Sequence, residues 1–320
     1  MANKQIEKLT DAQVAAMPKY VEKWIAIGTN TDRLNYDETL DIVNAVQVEL
    51  LNRKKTPVVI FDNPIECWVA ANYAHYHGVR ANELPGKVEE FFNGNKITLE
   101  PFVMPHLTGS FDASVFSFYD FFRTEVGLDY GEYTEKYNIW ESTTKLGLIF
   151  PLDEVAIVSQ KPSVVKLNDA TPRVTHCDGG PAISYEGRGD FNIYMLNGVR
   201  VPEWLATTHS SKIDIKRYND ISNADVKMEF LRKVGVERML SMGKKIDSYK
   251  NYNEEWWTKS EYELYDMAKL FIGVPFAPHL KMLNQTTKVW HVEAVSPECR
   301  NLEAAIKERL GGNLKIQGIA

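Results

Sequence analysis

The dipeptide Asn197-Gly198 constrains this chain more tightly than any other feature. It stands between two runs of alternating β-prone residues, Phe191-Asn-Ile-Tyr-Met-Leu196 and Val199-Arg-Val-Pro202. A two-residue reversal needs positive φ at both central positions, and Asn and Gly reach that region at low steric cost. The spacing therefore predicts a hairpin. With His176-Cys-Asp-Gly-Gly-Pro-Ala-Ile-Ser-Tyr185 and the glycine-flanked break before Phe191, it predicts a small β-meander over 176–202.

The flanking segments alternate between helix and strand signals. Thr10 or Asp11 caps a helix with Val14, Met17, Val21 and Trp24 at helical spacing, and 37–54 continues the pattern until Thr56-Pro57 stops it. Val58-Val-Ile-Phe61 is a short strand. Asp62-Asn63-Pro64 then opens a helix that Gly78 ends. A short helix is expected near 88–92. The segment 111–126, with Phe116, Phe118, Tyr119, Phe121 and Phe122, is expected to be a helix apolar on most sides, at the centre of a core. Short strands follow at 148–150, 155–158 and 164–167. Ser222-Asn-Ala-Asp225 has the form of a capping box before a helix that ends at Gly235. Residues 244–260 are expected to form an extended loop. The segments 262–271, 279–283 and 289–295 are expected to form one antiparallel sheet, and Asn301 to cap a last helix over 302–310.

The expected class is α+β: a helical, aromatic-rich N-terminal half packed on a mostly antiparallel β-sheet built from the central meander and the C-terminal strands. Three regions are expected: 1–150 mainly helical, 151–205 the meander, and 206–320 a helix, antiparallel strands and a terminal helix. The last two form one continuous domain in the alternative division. The 37 Lys and Arg against 43 Asp and Glu give a net charge of −6, which disfavours a general polyanion binder. Cys67, Cys177 and Cys299 are odd in number and lack metal-site spacing, so a reducing compartment is expected. No apolar signal region or membrane-length apolar run is present, which predicts a cytoplasmic protein without a membrane partner.

Several words of the sequence group together: Phe116-Ser-Phe-Tyr-Asp-Phe-Phe122, Ser159-Gln-Lys-Pro162, Asn197-Gly-Val-Arg-Val-Pro-Glu-Trp-Leu205, Phe230-Leu-Arg-Lys-Val-Gly-Val-Glu-Arg238, Leu280-Lys-Met-Leu-Asn-Gln285 and Val289-Trp-His-Val-Glu-Ala-Val295. From about 116 to 309 they resemble an uncharacterised family of bacterial and phage proteins, a domain of unknown function. Within them, His176-x-x-x-Gly180-Pro-Ala-x-x-Tyr185 followed by Tyr194-x-x-Asn197-Gly198 is similar to MORN-like hairpin repeats, present here once. The resemblance implies a phage or mobile-element association. It also implies a C-terminal aromatic and glutamine-bearing segment in relatives, where this sequence reads Gly318-Ile-Ala320.

Candidate chemistry is spread along the chain. His176 with Asp178 beside Gly179-Gly180 has the residue types of an acid–base pair, against the plainer reading of a packed imidazole and an Asx-type turn. His291 and Glu293 share one face of a strand, with His279, Lys281 and Asn284 expected on the neighbouring strand, against a solvated sheet face. Cys67 near a helix start is a nucleophile candidate, against an inert buried thiol. Lys244-Lys245, Tyr249-Lys250, Tyr252, Trp256-Trp257 and Lys259 could stack single-stranded bases, against tryptophans buried on the sheet. Phosphate-loop, dinucleotide, nucleophile-elbow and zinc signatures are absent, so the residues name no cofactor and no metal.

The leading expectation is an accessory protein that binds a host or phage protein, or a small ligand, through the meander and the C-terminal sheet face. Tyr185, Tyr194, Asn197 and Arg200 are its binding candidates. The alternative is an enzyme of unfamiliar class that gathers His176, Asp178, Lys281, Asn284, His291 and Glu293 in one polar cleft. A virion or structural component is the third. Nucleic acid is a disfavoured partner.

Overall fold

The computed structural model describes residues 8–101, 104, 106–171, 173–253, 258–271, 273–284 and 290–311. Helices and strands are mixed and most strand pairs are antiparallel, an α+β arrangement. The chain divides into two compact units, residues 1–198 and 199–320.

In the first unit, α1 (Asp11–Thr29) starts from a reciprocal cap: the Thr10 hydroxyl accepts from Gln13 N while the Gln13 side chain accepts from Thr10 N. Asn35 and Glu38 repeat the device at α2 (Tyr36–Ala45), which runs on into a π-helical turn, Val46–Leu50. After β1 (Val58–Phe61) comes α3 (Pro64–His77). Asn63 accepts from Ile65 N and Glu66 N, Pro64 takes the first helical position, and Gly78 closes the helix at φ 63°. Then follow α4 (Leu84–Phe92), α5 (Ala113–Thr124) and α6 (Thr134–Ser142).

Trp24 of α1 stacks on Phe116 of α5 at 5.3 Å, and Trp140 of α6 meets the same ring edge-on at 4.7 Å. The Trp24 indole donates to Asp120 at 2.9 Å, so its N–H is satisfied inside the core. α5 does not have the expected all-round burial. Phe116 and Phe121 are buried, but Phe118 is 63% exposed and Val115 and Tyr119 are exposed beside it. Packing against α1 and α6 uses one face of the helix, so its aromatic density exceeds what that face can cover.

β2 (Ile149–Pro151) and β3 (Ala156–Ser159) complete a sheet of order β1-β3-β2, in which β3 runs parallel to β1 and antiparallel to β2. Ile157 faces a core with residues of α3 and α4, while Ala156 and Val158 face one with Val43 of α2. Both sides of β3 are therefore covered, which explains its unbroken apolar run. Three two-residue strands follow in meander order: β4 (Val164–Val165), β5 (Ile183–Ser184) and β6 (Asn192–Ile193). β7 (Met195–Leu196) and β8 (Val199–Arg200) form the expected hairpin, with φ 48° at Asn197 and 81° at Gly198. The division between the units falls at this turn.

The second unit contains α7 (Glu203–Thr207), α8 (Ala224–Val234) and α9 (Val236–Leu240), followed by β9 (Lys244–Asn253), β10 (Thr258–Asp266), β11 (Pro278–Leu283), β12 (Trp290–Ala294) and α10 (Leu302–Leu310). The four strands form an antiparallel sheet of order β12-β11-β10-β9, and Leu302, Ala305 and Ile306 of α10 pack on Leu264 and Leu280. Three expectations need correction here. The stretch expected as a loop over 244–260 contains β9 and the start of β10. Cross-strand pairs such as Lys245–Glu263 and Lys250–Glu261 support it where apolar alternation is weak. The α8 cap is Asn223, which accepts from Asp225 N and Val226 N, rather than a Ser222–Asp225 box. The meander strands and the C-terminal strands lie in separate sheets.

Candidate functional site

The carboxyl ends of the parallel strands β1 and β3 meet different surroundings. Beyond β1, the chain seals itself. Asn63 Nδ2 donates to the carbonyls of Glu186 and Arg188, and buried Glu66 accepts from Arg188 N at 3.0 Å. Gly187 lies so close, at φ 89°, that a Cβ there would sit 2.5 Å from Glu66 Oε2. Beyond β3, the ladder continues through Gln160 N, which donates to Phe61 O at 2.8 Å, and the next residue, Lys161, reaches a cleft of about 670 Å³. A close approach also fixes this strand end: a Cβ on Gly147 would lie 2.3 Å from Ser159 Oγ.

The cleft is built from three segments. The end of α1 and the chain after it give Trp24, Ile27, Asn30, Asp32 and Leu34. α6 and the turn that follows give Asn138, Glu141, Ser142, Thr144 and Lys145, and Lys161 comes from the end of β3. α1 has no basic residue in its last turn, and Lys161 supplies a donor there instead. Its Nζ donates to Ile27 O and to Asn30 Oδ1, each at 3.3 Å.

Lys161 is 3% exposed and, among the described residues, makes no ion pair. Lysine is rarely buried unless a carboxylate compensates it. Burial pulls its pKa down, and the more distant Asp32 opposes this only in part. Glu141, on the same cleft, moves the opposite way. Burial and the Asp120 carboxylate hold its proton above the usual carboxylate range, against Lys23, Arg123 and Lys145. A lysine whose pKa is lowered and a carboxyl whose pKa is raised thus line one cavity. A second cleft, of about 610 Å³, carries His75, Arg80, Asp153 and Glu154, but all four are exposed to water.

The residues expected from the sequence are placed differently. His176 is half-buried and its Nδ1 accepts from Asn197 N at 2.9 Å, so it braces the hairpin turn. Asp178 is exposed in the neighbouring turn. Asn197 Oδ1 accepts from Asn168 Nδ2 at 2.9 Å. Tyr185 packs on Phe191 at 5.3 Å, and burial raises its hydroxyl pKa. Tyr194 is half-buried between β6 and β7, and Arg200 is exposed on β8. His176 and Asp178 belong to the first unit; Lys281, Asn284, His291 and Glu293 belong to the second.

Within the second unit the expected polar face does not form. Register pairs Met282 with His291 and Leu280 with Glu293, on the α10 side, where Glu293 meets Arg309. Lys281 and His279 alternate with those residues and face the other way. Lys281 is 7% exposed and ion-paired to Glu237 at 3.0 Å and Glu263 at 3.4 Å, and it lies 4.2 Å from the Trp290 ring centre. Asn284 follows β11, exposed. Cys67 is fully buried, with its pKa raised well above the usual thiol value by burial, as in an inert core thiol. The aromatic and basic stretch is partly strand, and Trp256-Trp257 lies outside the described residues.

Comparison with protein families, curated proteins and solved structures returns no match. No helix among the described residues is long and apolar enough to cross a membrane. Sequence reading missed Lys161 as a site residue. The available signal was a lysine two residues beyond a short, fully buried strand and directly before a proline, where a solvated charge is hard to place.

Proposed function

We propose that the protein is an enzyme of acid–base type acting on a small polar molecule in the Lys161 cleft. The carrying observation is the buried Lys161 amine, held by a carbonyl and an amide oxygen rather than by a carboxylate. Two titratable groups driven apart by their surroundings are the usual signature of a base and an acid working together. Lys161 takes the role of base and Glu141 that of acid. The size of the cleft is within the range of metabolite sites. This reading keeps the small-ligand partner and the unfamiliar-enzyme alternative, but centres the chemistry on residues other than His176 and His291.

The test is ligand-observed NMR against a panel of oxo acids, hydroxy acids, amino acids and sugar phosphates, with wild type beside Lys161→Met. The reading expects at least one compound that binds wild type and loses its signal with the variant. A compound set that binds both proteins equally, or binds neither, defeats it.

A further inference from the structure

The hydrogens on Lys161 Nζ can be counted. An ammonium carries three N–H groups and no lone pair; a neutral amine carries two N–H groups and one lone pair. Among the described residues Lys161 has two acceptors, Ile27 O and Asn30 Oδ1. The neutral form uses both of its hydrogens on these two oxygens, and its lone pair is the one feature of the nitrogen without a role inside the fold. Burial favours the same form. The nitrogen is also held in place, because its two hydrogen bonds anchor a side chain that leaves the backbone beside a paired strand end.

The cleft wall indicates what would meet that lone pair. Ser142 and Thr144 donate their hydroxyl hydrogens to Ile139 O at 2.6 Å and Glu141 O at 2.7 Å, so they do not donate to a ligand. Lys145 is exposed on the cleft and makes no ion pair among the described residues. It is a cation open to an anionic group. Asp32, Glu141 and Lys145 are the other charged groups lining the cleft, and of these it is Asp32 whose charge acts on Lys161.

We propose that Lys161 condenses with the carbonyl group of a small oxo acid whose carboxylate is held by Lys145. This rests on the cleft reading above and adds a covalent bond to it. The lone pair of Nζ attacks the carbonyl carbon, and the carbonyl oxygen takes up the proton that nitrogen releases, giving a carbinolamine. The Glu141 carboxyl then protonates the hydroxyl group, which leaves as water. The nitrogen lone pair closes the C=N bond. Loss of the remaining N–H proton to Glu141 gives the neutral imine and restores the carboxyl. Amine and ketone yield imine and water, and no oxidant or reductant takes part.

The experiment is reductive trapping. Wild-type protein is mixed with pyruvate at neutral pH, treated with sodium borohydride, and mapped by peptide mass spectrometry. Glyoxylate serves as a second probe, and acetone as the carbonyl compound without a carboxylate. The proposal expects one reduced adduct, on Lys161, while surface lysines react only under alkaline conditions. It expects acetone to be trapped about tenfold less, the factor for one lost charge-assisted contact, and Lys145→Ala to bring pyruvate down to the acetone level. Adducts scattered over surface lysines, or none at all with pyruvate and glyoxylate, overturn it. If NMR shows pyruvate bound while Lys161 stays unmodified, the covalent step fails and the cleft reading stands. The decisive comparison uses wild type alone, so it does not depend on a Lys161 variant folding.

Discussion

Among the described residues each unit of this protein buries one lysine, and the two are buried in opposite ways. Lys281, in the second unit, lies among carboxylates. Burial alone would pull its pKa down, but Glu237 and Glu263 outweigh that and hold the ammonium above its ordinary value. Glu263 in turn accepts from Lys245 and Tyr265, so the charge sits in a closed network. Lys161, in the first unit, has a carbonyl and an amide for company, and its pKa falls. A buried, paired charge stabilises or orders a sheet face. A buried lysine without a carboxylate partner costs stability, and beside a cavity it is where the proposed chemistry is placed.

The largest expected effect is on the paired side. Glu263→Ala removes the acceptor shared by Lys245, Tyr265 and Lys281 and should lower stability by about 3 kcal/mol, read as a shift in urea midpoint. A smaller loss would mean that Glu237 alone compensates Lys281. Lys281→Met should cost less, about 1–2 kcal/mol, because Glu263 keeps Lys245 and Tyr265. The same change at Lys161 should be neutral within about 1 kcal/mol or stabilising, since no ion pair is broken and an amine is replaced by an apolar chain. If both methionine variants lose the same stability, the contrast between the two lysines is wrong.

pH sharpens the contrast further. An unfolded lysine titrates near about 10.4. The folded value of Lys161 lies below its unfolded one, so the unfolded chain binds the proton more readily, and stability rises as pH climbs through the folded value. The folded value of Lys281 is raised, so its contribution is full below about 10.4 and is lost as pH rises through the folded value. Urea midpoints across the alkaline range should lose the rise in Lys161→Met and the fall in Lys281→Met. A small local effect belongs to a site outside both environments. Asn197→Ala replaces a residue that tolerates φ 48° with one that tolerates it less, removes the acceptor for Asn168 Nδ2, and should cost about 1 kcal/mol, with amide exchange rising around the hairpin.

The fold was legible wherever a few neighbouring residues decide the outcome. Asn63, Pro64 and Gly78 delimit α3, Asn301 and Gly311 delimit α10, and Asn197-Gly198 turns as its φ preferences require. β9 was missed because its support is cross-strand charge pairing, and the partners, Glu261 and Glu263, are named only by register. The exposed face of α5 was missed because composition counts aromatic residues without saying how much of the helix its neighbours cover. The expected His279, Lys281, His291 and Glu293 surface failed on the same ground. Alternation was read correctly within β12, but pairing put the β11 residues on the other side.

Taken alone, the amino-acid sequence determined the caps, the reversal at 197–198 and the mixed helix-and-strand class, because those depend on φ preferences and hydrogen bonds between near neighbours. Tertiary structure alone decided which lysine meets carboxylates and which meets a carbonyl and an amide oxygen. Ile27 lies 134 residues from Lys161, and Glu237 lies 44 from Lys281. The protonation of a buried nitrogen is set by the dielectric and the oxygens that folding brings to it, and neither is written in the residues beside it.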